Sequence, residues 1–476
     1  MAALLVLPSS LYVEMVFSSL LFLFWFIPIF FAVYYLCPAK CRNAVLFLGS
    51  IVFYAWGEPA YLILIFISIL VNYAAGLGLR ADISGASRSP SEKLIFALAM
   101  IFDFGMLIVF KYTGFFVSNI NALFGTSIHD PGLTLPLGIS FYTFQIASYV
   151  IDLYRGKIKC EKNPLTLGTY LVMFPQLIAG PIVVYSQVSH QLRERRITMD
   201  KVSSGITTFI LGLSSKVLIA NNVGSLWDDL EAIGYERISM PLAWLGVIAF
   251  TLQIYFDFNG YSLMAIGLGK MLGFDIPQNF NYPYISRSLT EFWRRWHMTL
   301  SGWFRDYVYI PLGGNRKGNT RTYVNLFVVW FFTGFWHGAG WNFICWGLFF
   351  FVFLSLEKSF LKDFLDAHKV ISRIYALLLI GLSWMIFAIT DFHSLGVYAS
   401  RLVAFGSSGW ADVVYYARNY AVVILLGCIF SAPVLSEWFE KNRRRPAGIA
   451  IQLALLFMCV CYLADASYNP FLYFRF

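Results

Sequence analysis

The sequence predicts an all-α polytopic membrane protein, and three observations carry that prediction. Of its 476 residues 59% are apolar and only 13% charged, against about 45–50% and about 25% in soluble domains. The mean hydropathy is +0.66. Apolar runs long enough to cross a roughly 30 Å hydrocarbon core recur along the chain. A soluble chain of this composition would expose large apolar patches, and an aromatic content of 19% excludes disorder.

In chain order, residues 1–14 precede Met15 and carry no charged leader and cleavage pattern. The run from Met15 to Leu36 is a first spanning helix. Further apolar segments follow at about 44–56, 60–79, 94–119, 167–187, 203–222, 241–258, 323–335, 341–356, 372–390, 419–436 and 447–465. Three segments are broken by Gly and Pro: 133–151 (Pro136, Gly138), 171–187 (Pro175, Gly180, Pro181) and 260–285. Broken elements at membrane depth survive only where protein or a water-filled cavity satisfies the backbone, so the centre is expected to be a funnel of irregular pieces. Residues 15–476 read as one transmembrane domain without internal repeats.

The net charge is +9. Basic clusters at Arg155–Lys162, Arg193–Arg196 and Lys441–Arg445 are placed on the cytoplasmic side by the positive-inside rule, so the charge does not point to nucleic acid. The seven cysteines form neither a disulfide framework nor a zinc pattern. The stretch from Arg287 to Arg321 is unusual. Seven basic residues face two acidic ones, which is +5 of the chain's +9. Within FWRRWHMTLSGWF, residues Trp293, His297 and Leu300 share one face of a helix. This segment is expected at the interface, aromatics toward lipid and arginines toward head groups. Two readings stay open: an anchoring helix, or a cationic wall for a phosphate-bearing ligand.

Of six histidines, His129, His190, His368 and His393 lie in loops or at segment ends. His337 stands between two apolar stretches in FFTGFWHGAGWNF, where an ionisable group is by default functional. A neutral imidazole there is suited to general-base work. A two-His metal site from His297 and His337 lacks co-ligands at suitable spacing. Asp257 and Asn259 are read either as tunnel-lining groups, with Arg305 or His297 as partner to the carboxylate, or as helix-cap residues.

An ordered set of motifs then resembles one family. The set comprises MVFSSLLFLF from Met15, FYAWGEPAYL from Phe53, PLGISFYTFQIASYVIDLYRG from Pro136 and FPQLIAGPIV from Phe174. It continues with YFDFNGYSLMAIGLGKMLGF from Tyr255, the Asn279–Arg316 stretch containing RRWH, GFWHGAGWNFICWGL from Gly334, and NPFLYFRF from Asn469. The sequence resembles the membrane-bound O-acyltransferase (MBOAT) family, in its bacterial alginate O-acetylation branch. The resemblance implies a ring of roughly 11–13 transmembrane helices, with re-entrant and interfacial helices, around a central tunnel. The motif that opens at Met15 implies, through the same resemblance, that residues 1–14 are an N-terminal extension or a misassigned start. The resemblance implies that His337 is catalytic and His297 supporting. It further implies a bacterial cytoplasmic-membrane location, acetyl-CoA as donor with no permanently bound cofactor or metal, an exported polysaccharide as acceptor, and an extracytoplasmic SGNH or esterase-like partner. Arg287, Arg294, Arg295, Arg305 and Arg316 would hold the donor phosphates. Asn281, Tyr282, Trp336 and Asn342 would position substrates or simply pack.

Three positions depart from the family pattern: Leu263 where Asp is usual, Phe349–Phe351 where a further His is common, and Phe387-Ala388-Ile389 in place of Phe-Phe-Arg. None of the three is expected to touch His337 or His297. A transporter or flippase remains the competing class, though it predicts symmetry-related broken helices. A scaffold that only recruits a secreted acetyltransferase is the third.

Overall fold

The computed structural model describes residues 15–79, 87–405, 410–465 and 471–472; residues 1–14 and most of the terminal motif lie outside it. The described residues are helical or irregular, with no strand among them. Among the described residues, eight helices are long and apolar enough to cross a membrane: Pro59–Gly78, Pro90–Phe124, Met199–Ile233, Met240–Leu272, Trp341–Ala367, Lys369–Ala388, Ala411–Phe430 and Pro446–Asp465. A shorter apolar helix covers Phe22–Leu36. Other hydrophobic runs are built as shorter pieces, so fewer long spans appear than a count of runs suggests.

Two compact units result. One comprises described residues of Met1–Ile206, Met264–Ile276 and Val460–Pro470; the other comprises Thr207–Leu263, Pro277–Cys459 and the described part of Phe471–Phe476.

In the first unit, Phe22, Phe26, Phe30 and Tyr34 recur every four residues and stack at 5.4, 5.6 and 5.8 Å between successive ring centroids. That spacing places them on one helix face, and Phe174 meets Phe30 edge-on at 5.1 Å. The Pro90–Phe124 helix starts with a capping box. Ser89 Oγ accepts from the Glu92 N–H at 3.2 Å, and Glu92 Oε2 accepts from the Ser89 N–H at 2.8 Å. Its outer face shows Leu94, Leu98 and Ile101, the surface a lipid-facing helix requires. Two of the three expected breaks fall within their segments. Gly138, at φ 76°, turns the chain into the largely buried Ile139–Tyr154 helix, and a β-carbon at this position would strike the Leu177 carbonyl. Residues 164–193 form three short helices, Pro164–Val172, Phe174–Leu177 and Tyr185–Arg193, joined by irregular backbone.

The third expected break is placed differently. Residues 260–272 continue the Met240–Leu272 helix, and the chain leaves it only at Gly273, φ 90°. The helix runs through Gly260 and Gly269, which serve as close-contact points where a β-carbon would strike the Gly212 carbonyl and the Ile276 side chain respectively.

In the second unit, the helices Asn319–His337 and Trp341–Leu356 form a hairpin of very close approach. A β-carbon at Gly334 would strike the Phe343 carbonyl, and one at Gly347 the Trp330 carbonyl. This contact sets where His337, the last residue of the first helix, is held. Gly334→Val is expected to lower stability by about 1–3 kcal/mol through overpacking, read as thermal unfolding in detergent. Gly302→Ala, whose added methyl meets nothing within 4 Å, should leave the midpoint nearly unchanged.

Candidate functional site

The segment around the RRWH motif does not form one amphipathic helix. Two short helices, Leu289–Arg295 and Met298–Phe304, meet at His297, which adopts φ 42°. The aromatics point inward, contrary to the expected lipid-facing placement. Trp293 packs on Trp330 at 4.7 Å and Phe350 at 4.9 Å, and Trp296 on Trp384 at 4.8 Å. The break removes the 3.6-residue periodicity on which the interfacial reading rested, and burying three indoles outweighs exposing them. Glu357 holds the start of the first short helix. Its carboxylate accepts from the Leu289 N–H at 2.6 Å, the Thr290 N–H at 3.0 Å and the Thr290 hydroxyl at 2.7 Å, satisfying donors that a helix start leaves open.

His297 is fully buried. Three donors converge on Asn279 Oδ1: the Thr299 hydroxyl at 2.8 Å, the Thr299 N–H at 3.3 Å and His297 Nδ1 at 3.0 Å. Asn279 Nδ2 donates to Ser262 Oγ at 3.3 Å. That network assigns the proton to Nδ1 and leaves the lone pair on Nε2, which has no hydrogen-bond partner among the described residues. Phe258 stands edge-on to the ring at 4.8 Å. His297 lies outside the spanning helices, and burial pushes its pKa down to about 3.

His337 is buried, in edge-to-face contact with Trp336 at 5.1 Å, Trp346 at 4.9 Å and Phe387 at 5.4 Å. Trp336 also faces His297, at 6.3 Å between centroids, so one indole touches both imidazoles. His337 lines a narrow cavity of about 20 Å³ together with Asp257, Trp296, Trp346, Trp384 and Phe387, space for about one water molecule. Phe471 and Leu472, from the terminal motif, close another side. Phe387 therefore brings one departure from the family pattern directly against His337, contrary to the expectation that none would touch it. Lys369–Ala388 ends there, and Asn342 Nδ2 donates to the Phe387 carbonyl at 3.2 Å, so Asn342 holds the helix end that carries this wall.

Asp257 finds neither Arg305 nor His297. It forms a buried ion pair with Lys216, and its Oδ2 accepts from the Leu472 N–H at 2.8 Å. The pairing follows from helix packing: Gly260 allows the 240–272 helix to approach the backbone at Gly212 and Lys216, which sets Asp257 opposite the lysine. The Asp257 reading as a helix cap also falls away, because the residue sits inside a continuous helix. Lys216 escaped the sequence argument, although a lone lysine within GLSSKVLIAN carried the signal of an intramembrane charge.

The remaining candidates stand off the cavity. Asn259 is half-buried and Asn281 exposed. Asn281 and Tyr282, the latter at φ 47°, form a loop tied to Arg295, whose Nη1 donates to the Asn281 carbonyl at 3.1 Å. Arg295 also pairs with Glu291 at 3.0 Å, and Arg305 with its neighbour Asp306 at 2.7 Å. Arg287, Arg294 and Arg316 are exposed. None of the five arginines lines the cavity. No group of three His, Cys, Asp or Glu able to hold a metal ion occurs among the described residues.

Residues 162–400 match the membrane-bound O-acyltransferase family. The chain is 36% identical, over 97% of its length and all of the relative's, to a probable alginate O-acetylase of Pseudomonas putida. It belongs to this family. The corresponding protein of Azotobacter vinelandii is 37% identical over 97% of this chain and 100% of its own. A peptidoglycan O-acetyltransferase of Helicobacter pylori is 34% identical over 97% and 98%. The chain is thus a multi-pass membrane O-acyltransferase.

Breaking the buried pair is expected to cost more than removing it. Lys216→Met leaves Asp257 uncompensated and should lose about 3–5 kcal/mol, whereas Lys216→Met with Asp257→Leu should recover most of that, measured by denaturation in detergent. Acid should also act through His297. Its folded pKa lies below the ordinary 6.5, so the unfolded chain binds the proton more readily. Its contribution to stability is complete above about pH 6.5 and falls as the pH drops toward 3. His297→Gln should flatten the acid limb of the thermal-stability profile relative to wild type.

Proposed function

We propose that this acyltransferase takes an acetyl group from cytoplasmic acetyl-CoA and passes it toward an exported, alginate-like or other cell-envelope polysaccharide, working in a bacterial cytoplasmic membrane with an extracytoplasmic esterase-like partner. The observation that carries the reading is the His337 imidazole at the wall of a narrow cavity otherwise lined mainly by aromatic rings. Relatives named as alginate O-acetylases and a peptidoglycan O-acetyltransferase support a polymer hydroxyl as the final acceptor.

In this mechanism His337 accepts the proton of the acceptor hydroxyl while the oxygen attacks the thioester carbonyl. The C–S bond breaks, the acetyl ester forms, and the proton passes to the departing thiolate. Such general-base assistance contributes roughly 10²–10⁴-fold. His297, held neutral by burial and oriented by Asn279, supports the Trp336 face against which His337 packs. The bulk of Trp346, Trp384 and Phe387 favours a short acyl chain. The exposed arginines Arg287, Arg294 and Arg316 are available to attract the donor's phosphates, and Arg295 and Arg305 remain tied to carboxylates until a stronger anion competes.

His337→Ala, purified in lipid nanodiscs, should lose transfer of ¹⁴C-acetyl from acetyl-CoA by about 10²-fold or more while inserting and eluting as wild type does. Wild-type turnover in that variant would refute the assignment. Phe387→Ala should admit longer donors, raising the butyryl-to-acetyl ratio of kcat/KM; an unchanged ratio would remove the cavity from donor selection.

A further inference from the structure

Arg195 belongs to a basic cluster that the sequence explains only as a topology signal, and the first unit gives it a specific setting. It lies between the Tyr185–Arg193 and Met199–Ser214 helices. Its guanidinium sits 4.7 Å from the Phe274 ring centroid and 5.9 Å from that of Tyr34. Arg42, the first residue of the Arg42–Gly57 helix, lies 5.9 Å from the same Tyr34 ring. Two guanidinium groups are thus gathered about one buried tyrosine, which is itself fixed by donation of its hydroxyl to the Leu272 carbonyl at 2.8 Å.

Like charges held this close ordinarily share a carboxylate. Among the described residues neither arginine has one within ion-pair distance. The neighbouring acid, Asp275, is taken by Lys201 at 2.8 Å and by Gln191 at 2.7 Å. Arg195 Nη2 donates to Asn43 Oδ1, a neutral acceptor, and Asn43 is held by its own donation to the Leu192 carbonyl at 2.9 Å. Two donors remain: Arg42 Nε and Arg195 Nη1 are both buried with no hydrogen-bond partner among the described residues. Burial first, and the Arg42 charge as well, pull the Arg195 pKa below its ordinary value.

Leaving charged donors buried and unsatisfied is costly; the Tyr34 hydroxyl takes one hydrogen bond from Arg195, but neither it nor stacking on two rings satisfies Arg42 Nε and Arg195 Nη1. An anion does. Arginine's planar fork matches phosphate oxygens. We infer that Arg42 and Arg195, neither of which lines the His337 cavity, form a phosphate-binding site within the first unit. It takes the phosphate of an anionic lipid head group or of a phosphorylated, nucleotide-bearing small molecule. Both sources present the same oxygens to the same two forks.

The test reads binding directly, without turnover, so it stands or falls independently of the acyl-transfer reading. Wild type, Arg42→Gln/Arg195→Gln, and Arg196→Gln as an exposed neighbouring control are purified in detergent. Phosphatidylglycerol retention is read by native mass spectrometry, and coenzyme A binding by calorimetry. A tenfold or greater loss of phosphatidylglycerol in the double variant alone, with coenzyme A binding unchanged, assigns a lipid head group. The same loss for coenzyme A, with lipid unchanged, assigns a soluble phosphate ligand. Equal binding of both probes by wild type and double variant overturns the proposal. Should the double variant fail to fold, phenylglyoxal labelling of unaltered protein replaces it. Protection of Arg42 and Arg195 by one probe supports the site, and protection by neither overturns it.

Discussion

A charged or hydrogen-bonding group carried into an apolar interior must find its partner within the protein, because neither lipid nor packed side chains supply one. The Asp257–Lys216 pair shows this constraint most directly. Each side chain is buried, each lies on a long helix, and each would be prohibitive alone. Their meeting requires the 240–272 helix to run close against the 199–233 helix, which glycine at 260 permits. The same carboxylate also accepts from the Leu472 N–H. One ion pair therefore ties together two helices and the end of the described chain, at the cavity that holds His337.

The histidines follow the same logic at different levels. His297 is oriented by an acceptor, Asn279 Oδ1, that three donors share, and the left-handed backbone at His297 turns its ring inward while ending one short helix and starting another. His337 is positioned by shape: the glycine contacts between its helix and the next bring it to the turn, and Trp336, Trp346 and Phe387 surround it. Asn342 acts at one remove, securing the helix end that carries Phe387. The result is an arrangement in which polar atoms are few, directional and set in an aromatic wall, the setting in which a single proton acceptor counts most.

Much of this was legible in the chain itself. His337 stood out because an ionisable residue among Phe, Trp and Gly has no bland surface role, and the four exposed histidines were separable by their flanks. Ordered motifs across the chain carried the family. What misled was periodicity around RRWH: Trp293, His297 and Leu300 fit one helical face, yet a single residue at positive φ divides the segment and turns its indoles inward. Spacing cannot reveal that, since the break depends on Glu357 and Asn279, which lie 68 and 18 positions from the residues they bond and are known as partners only once folded.

Composition and motif order by themselves determined an all-α membrane protein and its acyltransferase family, because hydropathy sums over many residues and tolerates local error. The tertiary structure alone decided the pairings: Lys216 with Asp257, Asn279 with His297, Phe387 with His337, and Arg42 beside Arg195. Each depends on the direction of a side chain across a helix–helix or loop contact. Those directions are set by packing at glycines and helix ends, and a linear sequence does not encode them one residue at a time.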